Sequence, residues 1–178
     1  MNLKLVKASK EYEALILEML EEWRAFNISH PEANHSPWAI FYNAQDFSDY
    51  MHRLNDIGEH YDEYEKGKVP ASTYFALDLD LNKMVGACNI RHYLNEDLRN
   101  GGGHIGDGVR PSCRGQGYGK EIVRLALEEC KKLGIKEVLM SCNQDNIASK
   151  KTITSNGGVY ERTILEDDEL LEQYWIKL

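Results

Sequence analysis

Hydrophobic and polar positions alternate along this chain in two different periods, and the switches between them outline its elements. Residues 3–7 alternate and predict a first strand. Tyr12, Leu15, Ile16, Met19, Leu20 and Trp23 then recur at helical spacing, predicting a helix capped by Ser9 and running to about Phe26. Residues 27–41 hold Pro31 and Pro37 among polar and aromatic side chains and read as a loop. Asp46 precedes a second helical face made of Phe47, Tyr50, Met51, Leu54 and Ile57. The charged, tyrosine-rich stretch 59–68 ends at Val69-Pro70. Two strands follow at 72–79 and 84–92, joined by a hairpin near 80–83. Residues 95–103, with three consecutive glycines, predict a mobile loop.

The second half repeats the switch more sharply. Residues 104–109 are short and alternating, and Pro111 keeps them from running straight into a helix. Tyr118, Ile122, Leu125, Ala126, Cys130 and Leu133 return at helical spacing, with Glu121, Arg124, Glu128, Lys131 and Lys132 on the opposite face. Gly134 stands at the C′ position of that helix. Residues 137–142 read as a buried strand, and 159–165 and 173–178 as a strand pair around the acidic turn 166–169. The order β-α-α-β-β-β-α-β-α-β-β predicts an α/β fold, a mixed and largely antiparallel central sheet flanked by helices. With no repeat or linker, residues 1–178 read as a single domain.

Composition narrows the picture modestly. The chain has 178 residues and a net charge of −8, which argues against nucleic acid or an anionic membrane as partner. The apolar runs are too short to span a bilayer, and the first residues lack a signal peptide's apolar stretch, so the expected location is cytoplasmic. Cys88, Cys113, Cys130 and Cys142 show no metal or disulfide spacing; Cys88, Cys130 and Cys142 are expected to be buried and Cys113 exposed. The His, Asp and Glu spacings predict no metal site.

The candidate chemistry is concentrated where the short strand meets the helix. Arg114-Gly115-Gln116-Gly117-Tyr118-Gly119-Lys120 is a glycine-rich turn that opens a helix. Glycines leave backbone N–H groups uncovered, and a helix start presents unpaired donors with a positive dipole end. Arg114 and Lys120 add two positive charges there, so an anion, phosphate above all, would be stabilised. A P-loop is excluded, because Arg114 stands where its first glycine belongs and Glu121 where its Ser or Thr belongs. A literal G-x-G-x-x-G occurs at 101–106, but it leads into an extended segment rather than a helix, so it is not a dinucleotide fingerprint.

The run Val109-x-Pro111-x-x-Arg114-Gly115-x-Gly117-Tyr118-Gly119 resembles the acetyl-CoA signature of the GNAT superfamily of N-acetyltransferases. Asn146-x-Ala148-Ser149, followed by Gly157-Gly158, is similar to that family's second block, and together the blocks span 105–158. The resemblance implies acetyl transfer from acetyl-CoA to a primary amine, with Val109, Arg114, Gly115, Gln116, Gly117, Tyr118, Gly119 and Lys120 around the CoA pyrophosphate and thioester. Asn146 and Ser149 would face the CoA arm. It also implies a base on the strand leading to Val109, for which His104 and Asp107 are the candidates, and in some members a homodimer.

One position departs from the pattern. Many GNAT enzymes carry a tyrosine seven residues after the Asn to protonate the leaving thiolate; here that residue is Ile153, and Tyr160 is the nearest alternative. This motivates two rival readings, a non-catalytic acyl-CoA-binding module and a transferase using another acyl-CoA. For the amine acceptor, Glu32, His35, Trp38, Phe41, Tyr42 and Asp46 form an aromatic and acidic group suited to a cation.

Overall fold

A computed structural model of the chain describes residues 1–31, 44–59, 69–166 and 168–178. Seven strands form two sheets. In the first, β1 (Leu3–Val6), β2 (Ala71–Asp78), β3 (Lys83–Arg91) and β4 (Ile105–Val109) lie in sequence order. In the second, β7 (Glu169–Lys177) lies between β5 (Glu137–Asn143) and β6 (Val159–Glu166). Every ladder within these sheets is antiparallel. The β2–β3 register shifts between Ala76 and Leu77, leaving Val85 as the extra residue of a bulge.

Helices cover both faces. Ile16, Met19, Leu20 and Trp23 of α1 (Glu13–Ser29) and Phe47, Tyr50 and Leu54 of α2 (Phe47–Glu59) pack with Phe75, Met84 and Ala87 on one face. On the other, Ile122, Val123, Ala126 and Cys130 of α4 (Tyr118–Lys132) meet Val85, Cys88, Ile90 and Ile105, and the same core reaches Val138 and Met140 of β5. These are the faces that the 3.6- and 2-residue periods assigned, except that on α4 Val123 and Leu127 join the buried side while Leu133, just past its end, is exposed. Among the described residues no helix is long and apolar enough to cross a membrane.

Several details differ from the sequence expectation. Ser9 caps no helix with its side chain; a 3-10 turn, Lys10–Tyr12, intervenes before α1, which runs on to Ser29. Residues 32–43 and 60–68, which include most of the predicted loop and the charged stretch, lie outside the described residues. The glycine loop contains a single-turn helix, α3 (Glu96–Arg99), because Asn95 Oδ1 accepts from Leu98 N and caps it. Its glycines are anchored rather than free: Arg91 donates to the carbonyls of Gly102 and Gly103, and Ser141 Oγ donates to Gly101 O. β7 starts at Glu169, earlier than expected, because its first residues pair with β6 across the turn. Cys113 is buried, as are the other three free cysteines.

The feature that positions the site lies between the two sheets. β4 and β5 are joined at one point, where His104 N donates to Leu139 O at 2.7 Å and Leu139 N donates to His104 Nδ1 at 2.9 Å. Gly103 makes this approach possible; its φ is +63°, and a Cβ there would stand 2.5 Å from Leu139 O. Beyond that point the strands belong to separate sheets and share no further backbone hydrogen bond. The chain thus leaves a wedge between β4 and β5, floored by α4 and α5 (Ile147–Ser155).

Candidate active site

The wedge opens at the end of β4 onto the glycine-rich turn. A short 3-10 turn, Pro111–Cys113, leads to Arg114, and α4 begins at Tyr118 with Gly117 as N-cap. Gly115 and Gly117 adopt φ of +75° and +87°, which accounts for glycine at both positions. Nothing lies within 4 Å of a Cβ built on Gly115, so the approach to the backbone is open. From Gly115 to Lys120 the backbone N–H groups donate to no described residue. They form a continuous row of donors at a helix start, with Lys120 exposed and without an ion pair among the described residues. Glu121, the one acid of the first turn, is bonded by Arg124 at 2.7 and 2.9 Å. The row therefore suits a polyanion in both geometry and charge.

β4 supplies a second set of backbone groups. Arg91 N donates to His104 O, and Arg110 N donates to Val85 O, both at 2.8 Å. Bonded residues alternate along an antiparallel strand, so Gly106 and Gly108 face β3 while Ile105, Asp107 and Val109 turn their N–H and C=O groups toward β5. Arg114 Nε reaches back to the Val109 carbonyl at 3.3 Å, consistent with that orientation. A free peptide edge and a row of helix-start donors are contiguous, and together they fit an extended chain ending in phosphates.

The structure separates the roles of the sequence-predicted residues. Gly115, Gly117, Gly119 and the exposed Gln116 and Lys120 form the turn itself. Gln116 Nε2 is spent on Ser112 O at 3.1 Å. Arg114 is exposed, but its guanidinium stacks 4.2 Å from the Phe26 ring centroid of α1, so it braces the turn against that helix. The Tyr118 side chain points away from the turn into the core, where its hydroxyl donates to Asp78 Oδ2 at 2.8 Å. That bond to a carboxylate, with burial, pushes its pKa up to about 12. Only its backbone belongs to the donor row. Asn146 Oδ1 accepts from Ser149 N at 3.0 Å and so caps α5, while Ser149 faces the Cys142 thiol.

His104 and Asp107 part company. His104 is buried, its Nδ1 accepts the Leu139 N–H, and its ring meets Trp175 edge-on at 6.4 Å. Burial and the nearby Arg99 and Arg91 push its pKa down to about 4, so it is neutral and occupied in a structural bond. Asp107 sits mid-wedge on a β4 register that no bulge interrupts, on the same face as Val109 and opposite Cys88. It makes no hydrogen bond to a described residue, and burial pushes its carboxyl up to about 6. Burial, as the larger cause, and the charge of Asp107 both raise the pKa of the Cys142 thiol on β5.

Ile153, at the family's tyrosine position, is fully buried against the core and Gly158. Tyr160 is exposed on β6, its hydroxyl bonded to Thr163. Of the expected acceptor group, Glu32, His35, Trp38, Phe41 and Tyr42 lie outside the described residues, and Asp46 Oδ1 caps α2 through Asp49 N at 2.8 Å. No cluster of three or more potential metal ligands occurs among the described residues.

Behind the turn lies a brace that no local pattern foreshadows. Arg110, 4% exposed, pairs with Glu18 at 2.7 Å and Glu22 at 2.5 Å. Glu22 also accepts Ser112 N at 2.7 Å and Ser112 Oγ at 3.1 Å. Burial opposes the charged form of Glu22, but these bonds outweigh it and leave its pKa lowered. The helical pattern of α1 located the acids; only the tertiary fold, across some ninety residues, revealed their partner.

Comparison with known proteins agrees with this geometry. A family model described as an acetyltransferase (GNAT) domain matches residues 3–159. No curated protein sequence matches the chain. Among solved structures, the chain is similar to RimL, a ribosomal L7/L12 alpha-N-protein acetyltransferase in complex with coenzyme A, with a TM-score of 0.68 and 17% identity over 100% of this chain and 95% of that one. It is similar also to the microcin C7 self-immunity acetyltransferase MccE in complex with acetyl-CoA and AMP (TM-score 0.67, 14% identity, 99% and 93% covered). A third is the ribosomal-protein-S5-alanine acetyltransferase from Vibrio fischeri (TM-score 0.67, 16% identity, 98% and 91% covered). The wedge, the donor row at the start of α4 and a family match over most of the chain converge, and the chain belongs to the GNAT family of acetyltransferases.

Proposed function

We propose that the protein transfers an acetyl group from acetyl-CoA to a primary amine of a small molecule or peptide, by direct attack on the thioester. The observation that carries this reading is the N–H row from Gly115 to Lys120, which donates to no described residue and is contiguous with the edge of β4 that faces β5. Similar structures bound to coenzyme A and to acetyl-CoA support the choice of donor. The thioester is already activated, so the chain's own tasks are positioning, polarisation and removal of a proton. The donor row holds the pyrophosphate, and the β4 edge at Asp107 and Val109 aligns the pantetheine arm. The backbone N–H of Asp107, the next group beyond Val109 on the edge that faces β5, polarises the thioester carbonyl. Asp107 takes the proton from the attacking ammonium, directly or through water, because its raised pKa suits a base working above pH 6. His104 does not share that task, since its accepting nitrogen is already bonded. This reading implies a cytoplasmic enzyme with no metal, nucleic-acid or membrane partner.

The test is release of free CoA thiol from acetyl-CoA in the presence of a broad panel of amines, including α-amino groups of peptides and polyamines. Turnover with at least one amine is expected. Ile153, buried where the family places its acid, favours a second reading, a CoA-binding module without chemistry. Tight binding of acetyl-CoA with no turnover on any amine would favour that reading instead.

A further inference from the structure

The one junction between the two sheets has a consequence for the donor. At His104 and Leu139 the wedge is closed by two hydrogen bonds, at 2.7 and 2.9 Å, one of them made by a side chain standing in for a strand's carbonyl. The His104 ring is fixed in place, buried and edge-on to Trp175. An arm lying along β4 from the phosphate turn passes Val109 and Asp107 and then runs toward this junction. From Asp107 to His104 a strand advances only about 10 Å, and β4 and β5 converge across that distance to hydrogen-bonding separation, about 5 Å. A two-carbon acyl group ends within the wedge, whereas a six-carbon chain would meet the junction.

We propose that the His104–Leu139 clip sets the length of the acyl group the donor can carry, restricting the protein to short acyl-CoA thioesters. The inference rests on the reading of the wedge as the CoA site. His104 acts here by holding β5 against β4, not by touching the reacting atoms. Asn in its place can offer Oδ1 to the Leu139 N–H, and Ala cannot.

Dissociation constants for CoA, acetyl-CoA, butyryl-CoA and hexanoyl-CoA, measured on the wild-type protein and on His104→Ala and His104→Asn, decide the matter. Wild type should bind hexanoyl-CoA at least ~10-fold more weakly than acetyl-CoA. The Ala variant should reduce that ratio to near one, with its affinity for CoA itself unchanged, and the Asn variant should keep the wild-type ratio. Equal affinity of wild type for hexanoyl- and acetyl-CoA overturns the proposal without recourse to any variant. So does a preference left intact by Ala, or one lost equally in both variants. Absence of CoA binding to the wild-type protein would instead refute the underlying assignment of the wedge.

Discussion

Replacing Asp107 with Asn should stabilise the protein at neutral pH while removing its activity. Burial raises the Asp107 pKa from an ordinary 3.8 to about 6, so the native state holds this proton more tightly than the unfolded chain does. Between those values the native state binds more protons, and stability therefore falls as pH rises. At about 1.4 kcal/mol per unit of pKa difference, the ionised carboxylate costs the fold roughly 3 kcal/mol at pH 7.5, a penalty that fades to nothing as pH falls below the ordinary value of 3.8. Asn is close to isosteric and carries no charge, so it escapes the penalty. The stability difference between variant and wild type should grow in the variant's favour by roughly 2–3 kcal/mol from pH 4 to pH 7.5, which other titrating groups cannot mimic because they cancel in the difference. Urea unfolding at four pH values measures it; at an m-value of about 2 kcal/mol/M the midpoints should separate by about 1 M more at pH 7.5 than at pH 4. The same variant should lose about 10²-fold or more in kcat, and wild-type activity should rise with pH through about 6. A stability difference constant to within about 0.5 kcal/mol across this range would refute the burial argument, and an unchanged kcat would refute the assignment of the base.

Three further perturbations separate the roles within the cradle. Gly117→Ala forces a side chain into a φ of +87° and should cost about 1–2 kcal/mol in thermal or urea unfolding and weaken CoA binding, whereas intact affinity would disconnect the turn from the ligand. Tyr118→Phe removes the buried hydroxyl bond to Asp78 and should cost about 1–3 kcal/mol while leaving the CoA dissociation constant unchanged; a change in affinity would return the side chain to the binding site. Glu22→Ala leaves buried Arg110 with one half-exposed carboxylate and strips Ser112 of its acceptor, so a loss of about 2–3 kcal/mol and a melting temperature lower by about 4–10 °C are expected. Because the Glu22 pKa is lowered, its contribution is present above the ordinary carboxylate range and is lost as pH falls through the lowered value, which makes the variant's deficit smaller in acid than at neutrality.

Local patterning made much of this molecule legible. The Gly-rich turn after a short strand and before Tyr118, Ile122 and Ala126 identified the donor row, because glycine conformation and helix periodicity are written in adjacent residues. α3 carried a readable signal as well, an Asn followed by Glu96 and Asp97 at a helix start, which the run of glycines obscured. What escaped were contacts between residues distant in sequence. His104 has the composition of a base and the geometry of a clip, and only Leu139, thirty-five residues on, distinguishes the two. Tyr118 shares the turn's motif, yet its side chain answers to Asp78, forty residues earlier. Arg114 likewise reads as a phosphate ligand until the fold brings Phe26 beneath it. Charge and motif name the chemistry a residue can do; the partner supplied by the tertiary fold decides which of it the residue does.

If the turn at Gly115–Lys120 and the edge of β4 form a CoA site, titrating the wild-type protein with CoA must shift its thermal unfolding. A ligand that binds only the native state adds about 2.7 kcal/mol at a hundred times its dissociation constant, which for a domain of this size raises the melting temperature by roughly 5–10 °C. A saturating, concentration-dependent rise of that order is expected with both CoA and acetyl-CoA. No rise at millimolar concentrations of either would contradict it.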